Sequence, residues 1–380
     1  MKLVVLGLSL SSSWGNGHAT TYRSLLRAFA ARGHAVTFLE RDVPWYQGPQ
    51  RDLAEPDFCR LAFYDDLAGL DAFRDEVAEA DAVIVGSYVP EGRAVGAWAQ
   101  QHARGVKAFY DIDTPVTVAA LERGACDYLT PELIPGYDLY LSFTGGPMLE
   151  RLASEFGSPG PRALYCCVDP DRYQPWTGET RFDLSYLGTY SDDRQPVLER
   201  LLLEPARRAP DLRFCVAGPQ YPASIDWPSN VTRFEHVGPA DHAEFYGVSR
   251  FTLNVTRADM VRAGWSPSVR LFEAAACGTP IISDPWDGLD AIFAEGRDIL
   301  VARDGEAVLA ALTGMDEAER TALGAAGQAQ VMAGHTAAHR AAELEGYIAD
   351  TRRHSGESTA RARNPDPGGS PSAHHGRDSS

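Results

Sequence analysis

The chain has 380 residues, of which 44% are hydrophobic and 23% are charged, and its formal net charge is −17 at pH 7. This length and composition suffice for two domains with hydrophobic cores of their own. The negative charge argues against a general affinity for nucleic acid or for anionic membranes. A phosphate-bearing ligand would therefore need a locally basic pocket, so the positions of the arginines matter.

The cysteines and the apolar runs point to a cytoplasmic protein. The six cysteines show no CxxC spacing, which favours a reduced setting over a disulfide framework or a zinc site. No stretch of about 20 apolar residues occurs, so no transmembrane segment is predicted. Residues 1–10 lack the cleavage site of a signal peptide and are predicted to form a first buried strand.

Strands and helices alternate along the first half of the chain. Residues 22–32 carry apolar side chains at a helical period, between predicted strands at residues 2–8 and 35–39. Further short apolar runs, each predicted to be a strand, lie at residues 82–86, 106–110 and 137–142. This alternation predicts a doubly wound parallel sheet with right-handed crossovers.

The alternation is interrupted once and then resumes. Residues 159–181 contain four prolines and are loop-rich, which marks the best candidate for a domain boundary. We predict an N-terminal Rossmann-like domain over residues 1–165, a linker over 166–181 and a C-terminal Rossmann-like domain over 182–350. No aromatic residue follows Tyr347. Residues 351–380 are therefore predicted to be a disordered tail, because they cannot bury enough surface to fold.

Residues 266–284 read as a helix, a glycine stop and a short buried strand. Ser266 is predicted to cap the helix and Gly278 to close it. Arg270 and Glu273 are three residues apart and therefore share a helical face. Beside the free N–H groups of the helix N-terminus, this pair could hold a diphosphate and a ribose hydroxyl. An amphipathic helix with an ordinary surface Arg–Glu pair is the alternative.

The segment R-L-F-E-A-A-A-C-G-T-P-I-I, residues 270–282, resembles the donor-site helix of the GT-B glycosyltransferases. It most closely resembles that of the CgeB-like spore-maturation proteins. The resemblance covers roughly residues 1–350 and implies an α/β GT-B fold, in which two Rossmann-like, doubly wound parallel-sheet domains face a central cleft. It also implies that Glu273 contacts the ribose of a nucleoside-diphosphate-sugar donor.

Three further segments of the second half resemble donor-site loops of this superfamily. The loop from Gly188 to Arg194 resembles a diphosphate-binding loop with two cations, but Thr189 occupies the first cation position. Arg270 could supply the missing charge, since the arginine fork binds phosphate at two points. Gly218 follows a predicted strand at a place where the superfamily holds the nucleotide base. Asn254 ends another predicted strand, with Arg257 just beyond, and both could line the same pocket. Ordinary turns are the alternative explanation for these positions.

The first half offers candidates for the acceptor side of a cleft. Gly15 and Gly17 would let a ligand approach the backbone, and His18 could take the proton of an acceptor hydroxyl. A loop histidine that only bonds the backbone is the alternative. The spacing is not G-x-G-x-x-G, which disfavours dinucleotide binding. Asp111, which follows a predicted strand, is the second catalytic candidate beside His18. As alternatives, Asp111 and Asp113 are acceptor contacts or polar scaffold, and no metal site is predicted.

One departure from the family pattern leaves the stereochemistry open. Retaining GT-B enzymes often carry two glutamates eight residues apart. Glu273 matches the second, whereas Trp265 occupies the first position. The residue that usually contacts the transferred sugar is thus absent.

These features predict a glycosyltransferase that needs neither a metal nor another cofactor. Its donor would be a nucleoside-diphosphate sugar and its acceptor is unknown. Two alternatives stay open: a nucleotide-sugar epimerase on the same fold, which would form product without an acceptor, and a non-catalytic nucleotide-sugar-binding protein.

Overall fold

The computed structural model describes residues 1–14 and 17–363, with side chains through His354. These residues form two parallel sheets, one of seven strands and one of six. None of the helices in this part of the chain combines the length and the apolar composition that a bilayer crossing requires.

The first sheet belongs to the N-terminal half. Its strands are β1 (Lys2–Gly7), β2 (Ala35–Arg41), β3 (Arg60–Tyr64), β4 (Ala82–Gly86), β5 (Val106–Asp111), β6 (Leu139–Ser142) and β7 (Pro161–Ala163), in the spatial order β3-β2-β1-β4-β5-β6-β7. The helices between them are α1 (His18–Ala31), α2 (Arg74–Glu79), α3 (Gly92–His102), α4 (Thr114–Glu122) and α5 (Pro147–Ser154). Every neighbouring pair of strands is parallel.

The second sheet repeats this plan. Its strands are β8 (Phe182–Leu187), β9 (Phe214–Ala217), β10 (Val231–Phe234), β11 (Ser249–Asn254), β12 (Ile281–Ser283) and β13 (Leu300–Val301), in the order β10-β9-β8-β11-β12-β13. The helices are α6 (Gln195–Leu198), α7 (Glu204–Arg208), α8 (His242–Gly247), α9 (Ala258–Ala263), α10 (Val269–Ala276), α11 (Gly305–Gly314), α12 (Glu317–Gly334) and α13 (Ala337–Arg363). A π-helical turn over Glu199–Leu203 joins α6 to α7.

The predicted doubly wound parallel α/β architecture is confirmed in both halves. Residues on β1 alternate between two hydrophobic clusters: Val4 packs into one face and Leu3 and Val5 into the other. The strand order reverses at β1, between β2 and β4, and at β8, between β9 and β11. In open α/β sheets, ligands bind beyond the carboxyl ends of the strands at such reversal points.

The last helix does not stay with the second domain, to which the sequence analysis assigns residues up to 350. Ala341, Leu344 and Ile348 of α13 are buried in the cluster that contains Leu3 and Phe29 of the first domain. Their spacing of three and four residues places them on one face of the helix. Helix α13 therefore ties the end of the chain to the first sheet.

The helix also extends further than predicted. It runs to Arg363, whereas the sequence predicts a disordered tail from residue 351. That prediction rests on the lack of core-forming side chains, but Ala, Arg and Glu favour a helix without being buried. Residues 364–380 lie outside the described part of the chain.

Candidate functional site

Three arginines gather at the carboxyl ends of β8 and β11, and we call Arg194, Arg257 and Arg270 the arginine cluster. Arg270 is 7% exposed, and its guanidinium lies over the Tyr186 ring with Cζ 4.9 Å from the ring centroid. Its Nε donates to Leu187 O at 2.7 Å and its Nη1 to Asn254 Oδ1 at 2.9 Å. These contacts fix the guanidinium at the strand-order reversal.

Arg194 completes the cluster from the loop after β8. Its Nε donates to Ser191 Oγ at 2.8 Å and its Nη2 to Thr189 O at 2.5 Å. Burial, together with the positive charges of Arg270 and Arg257, holds the pKa of Arg194 below its usual value. Because the neighbouring cations contribute to this lowered pKa, an anion bound among the three arginines would be stabilised.

Gly188 and Gly218 make room for this arrangement. A Cβ on Gly188 would lie 2.5 Å from Tyr186 Oη and 3.0 Å from Arg270 Nη2. Gly218 has a φ of +146°, and a Cβ there would lie 2.0 Å from Gly188 O. The two loops thus touch through glycine backbone beside the arginine cluster, and a side chain at either position would push them apart.

Helix α10 begins later than predicted. Its N-cap is Ser268 and its first residue is Val269, so Ser266 is not the cap. The Ser266 hydroxyl instead lies 2.7 Å from Thr144 Oγ1 and donates to Gly264 O at 2.9 Å. Ser268 keeps an extended backbone, with φ −76° and ψ 149°, so the helical conformation starts only at Val269.

Asn254 holds Arg270 and the start of α10 in place through hydrogen bonds. It is fully buried, and its Oδ1 accepts bonds from Arg270 Nη1 and from Ser268 Oγ at 3.2 Å. Its Nδ2 donates to Thr256 Oγ1 at 3.2 Å and to Ser283 Oγ at 3.0 Å. With both ends of the amide engaged, Asn254 positions the arginine and the helix start rather than binding a ligand itself.

Glu273 points into the protein rather than into an open cleft. It is 3% exposed, and its two oxygens accept hydrogen bonds from Tyr173 Oη at 2.7 Å and from Tyr246 Oη at 3.0 Å. His242 Nδ1 lies 3.7 Å from Oε2. Burial alone would raise the pKa of Glu273, but His242 and the two tyrosines hold it below the usual value. A contact with a donor ribose would require one of these hydroxyls to move.

His18 opens α1 on the opposite side of the cleft. Burial lowers its pKa to about 4, so the imidazole is neutral near pH 7. Its Nδ1 is buried and has no hydrogen-bond partner among the described residues. The ring packs edge-on against Tyr88, with the centroids 5.3 Å apart. Gly17 precedes it as the N-cap, with open space where a Cβ would lie, and Gly15 lies outside the described residues.

Asp111 is scaffold, not a group that can reach a substrate. It is fully buried, and Tyr140 Oη and Thr117 Oγ1 donate to its two oxygens at 2.6 and 2.8 Å. Burial raises its pKa to about 6. The predicted catalytic role of Asp111 therefore needs correction: the end of β5 directs this side chain into the first domain, and the carboxylate nearer the cleft is Asp113.

Asp113 joins the two domains. Its Oδ2 accepts a hydrogen bond from Tyr88 Oη at 3.2 Å and lies 3.7 Å from Nη1 of Arg257 in the second domain. Tyr88 has a φ of +63°, which is strained for a residue with a Cβ and is typical of functional sites. His18, Tyr88 and Asp113 thus form a continuous set of contacts that reaches Arg257 of the arginine cluster.

Trp265 occupies the position eight residues before Glu273, where the family resemblance leads one to expect a glutamate. Its side chain packs where the two domains meet. Its ring is so close to Gly146 and Gly288 that a Cβ on either would lie 2.5 Å from a ring atom. Its backbone N–H donates to Asp287 O at 2.6 Å and its carbonyl accepts from Gly145 N at 3.0 Å. Trp265 therefore packs against glycines of both domains.

Several of these residues escaped the sequence analysis. Tyr88, Tyr246 and His242 belong to no motif, and only their tertiary contacts reveal them. The contact of Tyr173 with Glu273 likewise appears only in the structure. Among the described residues, no group of three or more His, Cys, Asp or Glu side chains is placed to hold a metal ion.

Comparisons with known proteins bear on this geometry. Residues 194–346 match the family model described as "Glycosyl transferase-like". A search of curated proteins finds no match. Among solved structures, sucrose-phosphate synthase from Thermosynechococcus elongatus aligns with a TM-score of 0.63 and 15% identity, over 95% of this chain and 100% of that one.

Two further structures align over both domains. Anabaena Alr3699/HepE, in complex with UDP and glucose, gives a TM-score of 0.67 at 12% identity, over 92% of this chain and 100% of the other. An alpha-glucosyltransferase in complex with UDP and a 13-mer DNA gives 0.68 at 13% identity, over 92% and 99%. At these identities the alignments establish the fold, and the family model supplies the enzyme class. The chain is therefore a glycosyltransferase-like enzyme with the two-domain GT-B fold.

Proposed function

We propose that this protein transfers a sugar from a nucleoside-diphosphate sugar to an acceptor, without a metal ion. The observation that carries the proposal is the arginine cluster at the strand-order reversal of the second domain, in a protein whose net charge is −17. HepE and the alpha-glucosyltransferase hold UDP on the same fold, which supports a nucleoside diphosphate as the leaving group.

The arginine cluster would act on the departing diphosphate. During transfer, the bond between the anomeric carbon and a diphosphate oxygen breaks, and negative charge grows on that oxygen. Arg194 and Arg270 are already positioned by backbone carbonyls and Asn254, so they need not reorganise as the charge develops. Fixed cations of this kind can replace a divalent metal.

The acceptor would lie on the first domain. Its hydroxyl oxygen forms the new bond to the anomeric carbon, and its proton leaves to a base. His18 suits the role of proton acceptor because its imidazole is neutral near pH 7 and its Nδ1 has no partner among the described residues. The net charge of −17 disfavours nucleic acid as the acceptor. The donor-helix segment favours the CgeB-like proteins as the nearest family, and the cysteine usage favours the cytoplasm.

Arginine variants test the donor site by calorimetry with UDP. Arg270→Ala and Arg194→Ala should each weaken UDP binding about 10- to 100-fold, because each removes charge-assisted hydrogen bonds to phosphate. Uridine, which lacks phosphate, should be little affected. Arg200→Ala is the matched control, because it removes the same charge from an exposed position of the second domain. Unchanged UDP affinity in both site variants would refute the proposed donor site.

Metal independence is tested separately. Turnover of a nucleoside-diphosphate sugar should persist in EDTA, because the arginine cluster supplies the positive charge. Activity that is lost in EDTA and restored by magnesium or manganese would contradict this part of the proposal.

A further inference from the structure

Arg257 lies between two groups that could each use its charge. From the second domain its Nη1 reaches to within 3.7 Å of Asp113 Oδ2 in the first. The same guanidinium contributes to the lowered pKa of Arg194, so it also belongs to the electrostatic environment of the arginine cluster. A single side chain is thus shared between a cleft carboxylate and the proposed diphosphate site.

The contact between Arg257 and Asp113 is loose. At 3.7 Å it is longer than a hydrogen bond, and the side chains are 40% and 18% exposed. Asp113 keeps a separate hydrogen bond from Tyr88 Oη at 3.2 Å. Arg257 can therefore withdraw from Asp113 without breaking a hydrogen bond between them and without leaving the carboxylate unpartnered.

A diphosphate is the stronger partner for this guanidinium. It carries more negative charge than one carboxylate and can accept two parallel N–H bonds from the arginine fork. The backbone of Arg257 lies beside the loop from Gly188 to Arg194. The residue after Arg257, Ala258, donates its backbone N–H to Asp193 Oδ2 in that loop at 2.9 Å.

We propose that Asp113 and the donor diphosphate compete for Arg257, so that donor binding frees the Asp113 carboxylate in the cleft. The inference rests on the proposed function, since it assumes that the diphosphate occupies the arginine cluster. With Arg257 withdrawn, Asp113 faces the acceptor side and keeps its bond from Tyr88. Burial raises the pKa of Asp113, and Arg257 offsets part of that rise. Asp113 is therefore a better proton acceptor when it is free of Arg257 than when it is paired with it.

A double-mutant cycle on UDP affinity tests the competition. Asp113→Asn should tighten UDP binding about two- to fivefold, because Arg257 is then released from a partly exposed ion pair. In the Arg257→Ala background, Asp113→Asn should leave the affinity unchanged. Asp75→Asn is the matched control, because it removes the same charge from an exposed position of α2 and should alter neither background.

The possible outcomes separate this inference from the proposed function. Equal tightening in both backgrounds would show general repulsion between Asp113 and the diphosphate, and no tightening in either would show no competition. Each of these two results would overturn the inference. The proposed function would still stand as long as UDP binding depends on Arg270. If inorganic pyrophosphate shows the coupled cycle but no nucleoside-diphosphate sugar binds, a bare diphosphate competes with Asp113 for Arg257, whereas the proposed function fails and with it the claim that donor binding frees Asp113.

Discussion

Asp111 and Asp113 lie two residues apart and occupy opposite environments. Asp111 is fully buried and accepts bonds from Tyr140 and Thr117, whereas Asp113 reaches the cleft beside Tyr88. The difference arises where β5 ends and α4 begins, because the chain turns between the two residues. One carboxylate is therefore part of the buried hydrogen bonding of the first domain, and the other lies at the cleft.

Asp111→Asn should change how stability depends on pH. Burial raises the Asp111 pKa from 3.8 to about 6, so between these values the folded protein binds more protons than the unfolded chain. The contribution of this residue to the free energy of unfolding therefore falls as pH rises through that range. Asparagine does not titrate, so the variant should gain stability relative to wild type between about pH 4 and pH 7.

Urea unfolding of both proteins at several pH values measures this difference. Asp284, whose pKa burial also raises to about 6, is present in both proteins, so its effect cancels. A difference in unfolding free energy that does not vary with pH would contradict the assignment.

Tyr173→Phe should destabilise the fold through Glu273. The phenol donates a 2.7 Å bond to this buried carboxylate, and a hydrogen bond to a charged group contributes about 1.5–3 kcal/mol. Tyr22→Phe is the control, since the buried Tyr22 hydroxyl has no partner among the described residues. Thermal unfolding should show a lower melting temperature for the first variant only. Equal shifts would mean that the Glu273 contact contributes nothing.

At the scale of elements, α13 connects the end of the chain to its beginning. Arg352 Nη1 lies 2.7 Å from Asp81 Oδ1 of the first domain, and the apolar face of the helix is buried in the cluster of the first sheet. A helix with only isolated polar contacts would be marginal, so this packing is what holds it in place. The domain order along the chain is therefore first, second, first.

Leu344→Ala tests that packing. Leu344 is fully buried between the helix and the first domain, and such a truncation costs about 2–5 kcal/mol. Deleting residues 355–380 is the companion variant, because it leaves the buried face of α13 intact and should not change the melting temperature. A large loss on deletion, or none with Leu344→Ala, would show that this packing does not stabilise the chain.

At the scale of the whole molecule, the two domains meet through small residues around Trp265. Gly146 of the first domain has a φ of +56°, and a Cβ there would lie 2.5 Å from the Trp265 ring. The hydroxyls of Thr144 and Ser266 lie 2.7 Å apart across the same contact. This close approach sets the spacing between the arginine cluster and His18.

Gly146→Ala should disturb the relative position of the domains. Gly124→Ala is a matched control, because Gly124 has a similar φ of +65° but a Cβ there would meet no atom within 4 Å. Both variants incur a cost for alanine at positive φ, which is roughly 1 kcal/mol in the left-handed helical region. Gly146, with a ψ of −140°, lies outside that region, so its cost is higher. Only Gly146→Ala should also change the small-angle scattering profile and weaken transfer. Identical behaviour of the two variants would contradict the role of this contact.

The sequence by itself determined the alternation of strands and helices and the two Rossmann-like halves, and it predicted Arg194 and Arg270 as donor-site candidates. It could do so because buried parallel strands leave continuous apolar runs, and because an acidic chain must concentrate its cations where it binds phosphate. Short edge strands such as β7 and β13, of three and two residues, left no such signal.

Only the tertiary structure decided which carboxylate faces the cleft, where α13 packs and what Glu273 touches. Each depends on a contact between residues far apart in the chain: Asp113 with Arg257, Leu344 with the first sheet, and Glu273 with Tyr173. Periodicity assigns a residue to an element and a face, but the partner on that face is set by how the elements pack.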